Sequence, residues 1–102
     1  MIYKNANKKE VFKSNHAIGY QLADNRYHEL VNLVIHPKGM VPEHSLPVPA
    51  TFFVVSGNGN LTINTQEFQV EAGDVIEIAP NEVRRWENPF NYPLELLVIK
   101  PK

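Results

Sequence analysis

Histidine and arginine are the residues of this chain that could carry chemistry. The chain has four histidines and no cysteine, and two of its arginines, Arg84 and Arg85, are adjacent. An imidazole can bind a metal ion or exchange a proton near neutral pH, whereas a guanidinium stays protonated and binds carboxylates or phosphates. The lack of cysteine excludes disulfides, thiolate metal sites and thiol catalysis. The sequence therefore predicts chemistry based on imidazole, guanidinium and carboxylate groups.

The spacing of the histidines limits how they could cooperate. His28 and His36 share one face of a strand but lie about 26 Å apart, so they cannot bind one ion together. Glu43 points away from His44, because adjacent residues of a strand face opposite ways. A three-ligand site at His44 would need a neighbouring strand to bring another histidine beside it. His44 is therefore a metal ligand, a polar pocket group or a rim residue, and His16, in a polar stretch, is expected in solvent.

Short apolar runs separated by turn residues are the pattern of the whole chain. Three prolines between residues 42 and 49 exclude a helix there, and no ten-residue stretch has a helical period. Strands spaced in this way are typical of an all-β sandwich or barrel. The predicted strands are 27–36, 51–55, 61–63, 68–70, 75–79, 83–87 and 94–99, with tight turns at 56–60 and 72–74.

The order of turn and polar residues from Gly39 to Ile99 resembles the two motifs of the cupin superfamily. The first motif is matched by Gly39, His44 and Gly57, and the second by Gly73, Asp74, Pro80 and Asn88. The resemblance implies an all-β fold, a small jelly-roll (cupin-like) β-barrel. We expect a single domain over residues 1–102, with residues 1–15 as an N-terminal edge strand or arm.

The resemblance also implies where a metal would bind, and there the sequence departs from the family. Cupins usually hold a divalent metal with two histidines and a glutamate of the first motif and a histidine of the second. His44 matches the first histidine, but Leu46, Ala50 and Arg85 stand at the other three positions. Leucine and alanine offer no lone pair, and stable zinc sites use three or four protein ligands. We expect a cupin fold without the family's metal, and a bound divalent metal is the less favoured alternative.

The arginine pair is the second candidate for function. The motif spacing places Arg85 on the inner face of its strand and Arg84 and Trp86 on the outer face. A buried arginine needs a partner. The partner would be Glu87 or Glu43 in an ion pair at the barrel mouth, or the acid group of a bound ligand, which a guanidinium clamps through two hydrogen bonds.

These observations favour a binding protein as the leading hypothesis. The molecule bound would be small, organic and anionic, and the barrel would hold it without the usual metal. One alternative is a cupin enzyme, metal-dependent or acid–base, of dioxygenase or isomerase type, although no catalytic residue can be assigned. The other is a dimeric interaction or accessory module. The predicted ligand-binding residues are His44, Arg85, Phe52, Leu46 and Ala50, above an apolar floor that also includes Ile76 and Ile78.

Composition and pattern also predict the partners. Phe52 and Val54 share one strand face and Phe53 and Val55 the other, so both faces should be covered, which favours a homodimer. A formal net charge of -1 gives no attraction to nucleic acid, and the basic stretch Lys4–Lys13 is expected in solvent. No apolar run reaches the ~20 residues of a membrane helix, and the first residues do not resemble a secretion signal. We expect a cytoplasmic protein without a nucleic-acid or membrane partner.

Overall fold

The computed structural model describes residues 1–102 and consists almost wholly of β-strands. The only other regular element is a short 3-10 turn at Asn5–Asn7. The predicted all-β class is confirmed. No helix in the chain has the length and apolar character to cross a membrane. The strands are β1 (Lys9–Lys13), β2 (Ala17–Asp24), β3 (His28–Ile35), β4 (Met40–His44), β5 (Ala50–Ser56), β6 (Asn58–Ile63), β7 (Gln66–Glu71), β8 (Val75–Ile78), β9 (Arg84–Glu87) and β10 (Leu94–Pro101).

The strands form two antiparallel sheets. The six-stranded sheet has the order β1-β2-β3-β10-β5-β8, and the four-stranded sheet has the order β4-β9-β6-β7. Consecutive strands often lie in different sheets, which is the connectivity expected of a jelly roll. The jelly-roll prediction is confirmed. β1 pairs with β2 and lies at one edge of the larger sheet.

Three local predictions differ from the structure. Strand β4 is not among the predicted strands. The strand Ala17–Asp24 was not predicted, because its glycine and polar residues dilute the apolar alternation. The turn predicted at 56–60 is shorter in the structure, where only Gly57, with a φ of 88°, lies between β5 and β6. Asn58 and Asn60 already pair with β7 across the hairpin. Gly57 is required here because a Cβ would lie 2.4 Å from the carbonyl oxygen of Pro93.

The core lies between the two sheets and follows the alternation of each strand. Phe52 and Val54 of β5 are buried, and the Phe52 ring lies 5.3 Å from the ring of Trp86 on the opposite sheet. Phe53 and Val55 point to the outer face and are 37% and 43% exposed. The homodimer expected to cover this outer face stays a prediction.

The side chain of Asn88, the residue that follows β9, links backbone groups at one end of the sandwich. It is 1% exposed, and its Nδ2 group donates to the carbonyl oxygens of Ile35 (3.2 Å), His36 (3.2 Å) and Tyr92 (2.7 Å). Its Oδ1 accepts a hydrogen bond from the backbone N–H of Phe90. One amide side chain therefore joins the end of β3 to the loop between β9 and β10.

Four strands have an unpaired edge. β1 and β8 border the larger sheet, and β4 and β7 border the smaller one. β1 carries Lys9 and Lys13, β4 contains Pro42, and β8 has only four residues. On β7, Glu67 and Glu71 are exposed.

Candidate functional site

A cavity of about 590 Å³ opens between the two sheets on the side of β1 and β4. Its walls are mainly apolar, and a few ionisable side chains join them. A concave apolar site with a small number of polar groups is the usual form of a small-molecule site. The apolar wall residues include Val11, Phe12, Val31, Leu33, Val41, Leu46, Phe52, Trp86 and Val98, and the ionisable ones are Glu29, Glu43, His44, Arg84 and Lys100.

Arg84 is the buried cation of this cavity. It is 1% exposed and makes no ion pair, and its Nε and Nη1 atoms have no hydrogen-bond acceptor. Burial lowers the pKa of Arg84 from its ordinary value. The indole Nε1 of Trp86, which lines the same cavity, is also buried without an acceptor. A buried cation without a partner is costly, so these donors suit an anionic ligand.

His44 lies at the mouth of the cavity and is the ladder partner of Arg84. Glu43 lines the same cavity, contrary to the expectation from alternation, since the register of β4 shifts between Val41 and His44. Its Nδ1 atom is 3.3 Å from the carbonyl oxygen of Pro42. Desolvation lowers the pKa of His44, and the positive charges of Arg84 and Lys100 lower it further, against an opposing contribution from Pro42. The imidazole is therefore held in its neutral form near neutral pH, in which one nitrogen donates and the other accepts.

The lowered pKa of His44 predicts a pH-dependent stability. Because the folded-state pKa lies below the ordinary value of 6.5, the unfolded chain binds the proton more readily. This contribution to the free energy of unfolding is complete above pH 6.5 and is lost as the pH falls through the lowered pKa. We expect His44→Gln to lose less stability than the wild type between pH 7.5 and 5.

Urea unfolding at several pH values measures this difference. The matched control is His16→Gln, since His16 is exposed and does not line the cavity. That variant should keep the wild-type pH dependence. Identical pH profiles for His44→Gln and His16→Gln would show that His44 does not have the lowered pKa.

Arg85 does not lie where the sequence placed it. It is on the outer face, where its Nη2 atom is 2.8 Å from Oε1 of Glu87, and it does not line the cavity. The predicted Arg85–Glu87 ion pair exists, but outside the barrel. The inner positions of β9 belong to Arg84 and Trp86, since Trp86 pairs in the ladder with the fully buried Leu61. The prediction was wrong by one residue, and one residue exchanges the two faces of a strand.

The other predicted site residues divide into two groups. His44, Phe52 and Leu46 line the cavity together, and their role in ligand binding stays a prediction. Ala50 does not line it; this residue is 1% exposed in the core and pairs with Ile78 across the ladder. Ile78, which was predicted to form part of the apolar floor of the site, does not line the cavity either. Ile76, predicted in the same floor, lines a different cavity of about 360 Å³ beside β7 and β8. Ala50 and Ile78 lie on the same inner face as Phe52 but two residues further along their strands, so their position along the strands separates them from the first cavity.

The donor set does not fit the metal that the cupin resemblance implies. No three histidine or carboxylate side chains lie close enough together to hold an ion. None of the other histidines lines the cavity of His44. The cation of Arg84, opposite His44 in the ladder, would also repel a divalent metal.

Comparison with known families decides the family of the chain. The family model described as "Cupin domain" matches residues 31–100. The chain belongs to the cupin family. A curated relative, the uncharacterized protein MJ1618 of Methanocaldococcus jannaschii, is 35% identical over 46 residues, which are 45% of this cupin. The match covers 37% of that relative's length.

Solved structures show the same fold at low sequence identity. A predicted oxalate decarboxylase of Thermotoga maritima has a TM-score of 0.85 and 19% identity over 99% of this cupin and 98% of its own chain. The polyketide cyclase RemF of Streptomyces resistomycificus also has a TM-score of 0.85, with 17% identity over 99% and 78% of the two chains. Likeness at this level of identity concerns the fold alone.

The turn before β9 lies within the second cupin motif. The spacing of that motif puts Glu82 at the place of the family's glycine and Arg85 at the place of its histidine. In the structure, the residue with the glycine-like conformation is Asn81, whose φ is 68°. Asparagine adopts positive φ more readily than most residues. The burial pattern of β9 puts Arg84, and not Arg85, on the inner face.

Several cavity residues were missed by the sequence analysis. Val11 and Phe12 of the edge strand form part of the wall, and Lys100 and Glu29 meet across β10 and β3. No local motif marks these residues, because they come together only through strand pairing. The signal that could have identified Arg84 is Trp86, since a large aromatic residue on a short strand is expected to face the core.

Proposed function

We propose that this cupin binds a small organic anion in the cavity without a metal, and that the Arg84 guanidinium holds the acid group. The observation that carries the proposal is a fully buried cation without an acidic partner in the wall of an open, mainly apolar cavity. His44, opposite Arg84 on the neighbouring strand, offers a second hydrogen bond at the mouth. The role first assigned to Arg85 passes to Arg84.

The test compares the two adjacent arginines. Calorimetry with hexanoate, benzoate, adipate, citrate and phosphate is carried out on the wild type, Arg84→Gln and Arg85→Gln. A charge-assisted hydrogen bond contributes ~1.5–3 kcal/mol, so Arg84→Gln should weaken binding by about 10- to 100-fold, whereas Arg85→Gln should bind like the wild type. Circular dichroism confirms that both variants are folded. The proposal fails if no anion binds, or if the two variants bind equally well.

An acid–base enzyme is the second candidate, and His44 favours it. A neutral imidazole at the mouth of the cavity can accept a proton from a bound molecule and return it at another atom. The structurally similar proteins include a predicted oxalate decarboxylase and a polyketide cyclase. NMR of each binding acid after incubation in deuterated water separates the candidates. An unchanged acid supports binding alone, whereas His44-dependent deuterium exchange or conversion supports the enzyme.

A further inference from the structure

The strand register gathers the ionisable groups of the cavity into one layer. On the larger sheet, Lys100 of β10 is the ladder partner of Glu29 of β3. On the smaller sheet, His44 of β4 is the ladder partner of Arg84 of β9. All four line the same cavity, and the charges of Lys100 and Arg84 both act on His44. The polar end of a ligand therefore meets this layer.

The pairing within the layer leaves one cation free. Lys100 is 3.8 Å from Glu29, whose other oxygen accepts a hydrogen bond from Gln21 at 2.6 Å. Arg84 makes no ion pair. The remaining acid of the wall, Glu43, is exposed at the mouth and would repel additional negative charge. Charge complementarity therefore calls for one anionic group on the ligand.

The next layer of the cavity is apolar. Val98 pairs with Val31 on the larger sheet, and Trp86 pairs with Val41 on the smaller one. Phe52 completes this layer beside Trp86. A second charged group placed here would lose its hydration, and the unpartnered donor it would meet in this layer is the neutral indole N–H of Trp86, which cannot balance a charge. The body of the ligand must therefore be apolar.

We propose that the ligand is an amphipathic monocarboxylate, with its single acid group at Arg84 and an apolar aliphatic or aromatic body against the Val31–Val98 layer. This inference rests on the proposed function and specifies its ligand class. It excludes di- and tricarboxylates and phosphorylated sugars as preferred ligands, since each carries a second charged or strongly polar group into the apolar layer. It also excludes zwitterionic amino acids, since their ammonium group would lie beside the Arg84 cation.

The sole tryptophan of the chain provides a direct readout, because Trp86 lines the cavity. Its fluorescence is titrated with three probes of the same carbon length: hexanoate, adipate and hexan-1-ol. We expect hexanoate to bind at least about tenfold more tightly than either of the other two. In Arg84→Gln, the affinity for hexanoate should fall to that for hexan-1-ol.

A second pair of variants tests the apolar layer without removing the cation. Val31→Thr places a hydroxyl group of similar size in the cavity wall, and Val34→Thr makes the same change on the outer face of the same strand. Val31→Thr should weaken hexanoate binding severalfold and leave acetate binding unchanged. Val34→Thr should change neither affinity.

The outcomes separate this inference from the proposed function. Tighter binding of adipate than of hexanoate, or equal effects of Val31→Thr and Val34→Thr, would overturn the inference that the ligand is a monocarboxylate. Either result would leave the proposed anion-binding function in place. Equal binding of hexanoate and hexan-1-ol to the wild type, or no binding of any acid, would overturn the proposed function itself.

Discussion

Replacing Arg84 with methionine is expected to raise the free energy of unfolding of the ligand-free protein by about 1–4 kcal/mol. Arg84 is buried beside apolar side chains and has no ion-pair partner, so the folded state bears the cost of dehydrating its charge. Methionine is unbranched and apolar, and its flexibility lets it fill irregular spaces. The same change removes the proposed anion-binding group, so the variant should be more stable and should bind hexanoate at least about tenfold more weakly.

Urea unfolding of the ligand-free protein measures this change, and Arg85→Met is the matched control. Arg85 and Glu87 form a half-exposed ion pair on the outer face, with side chains 38% and 42% exposed. Such pairs contribute about 0–1 kcal/mol, so Arg85→Met should be neutral or slightly destabilising. A loss of stability in Arg84→Met greater than in Arg85→Met would show that the Arg84 charge is stabilised within the ligand-free fold.

Replacing Asn88 with alanine is expected to lower the free energy of unfolding by about 3 kcal/mol. The variant leaves three carbonyl oxygens and the N–H of Phe90 without the side chain that satisfies them, and an unsatisfied buried polar group costs ~1–3 kcal/mol. The expected loss is smaller than the sum of the separate costs, because water can reach some of these groups where the loop opens.

Thermal and urea unfolding compare Asn88→Ala with Asn91→Ala, in the same loop. Asn91 is exposed and makes no side-chain hydrogen bond, so its replacement should change the free energy of unfolding by less than ~0.5 kcal/mol. Equal stability of the two variants would mean that Asn88 does not join β3 to the loop. Because the proposed ligand contacts do not involve Asn88, binding of hexanoate to the folded variant should persist.

The strands could be predicted from sequence where apolar alternation and turn residues agree. The hairpin of β6 and β7 and the strands β3, β5, β8 and β10 were predicted from their own residues, and the structure moves their ends by a few positions. The strand β2 was missed because its burial is fixed by its partners β1 and β3 rather than by its own pattern.

The candidate site was only partly predictable, and β9 shows why. Motif spacing set the faces of this four-residue strand, and an error of one residue was enough to exchange Arg84 and Arg85. The pairing of Trp86 with Leu61 fixes the true register through contact between distant segments. Residues such as Lys100 and Glu29 enter the cavity by strand pairing alone, which no local sequence pattern specifies.

The four open strand edges have a consequence for how the protein behaves at high concentration. An unpaired edge is a template on which another chain can add a strand, the first step towards fibrils. Each edge strand of this protein has a feature that disfavours pairing with another chain. These features are lysines on β1, a proline without an N–H group on β4, acidic side chains on β7, and a length of only four residues for β8. We therefore expect the sandwich to resist edge-to-edge aggregation despite its high strand content.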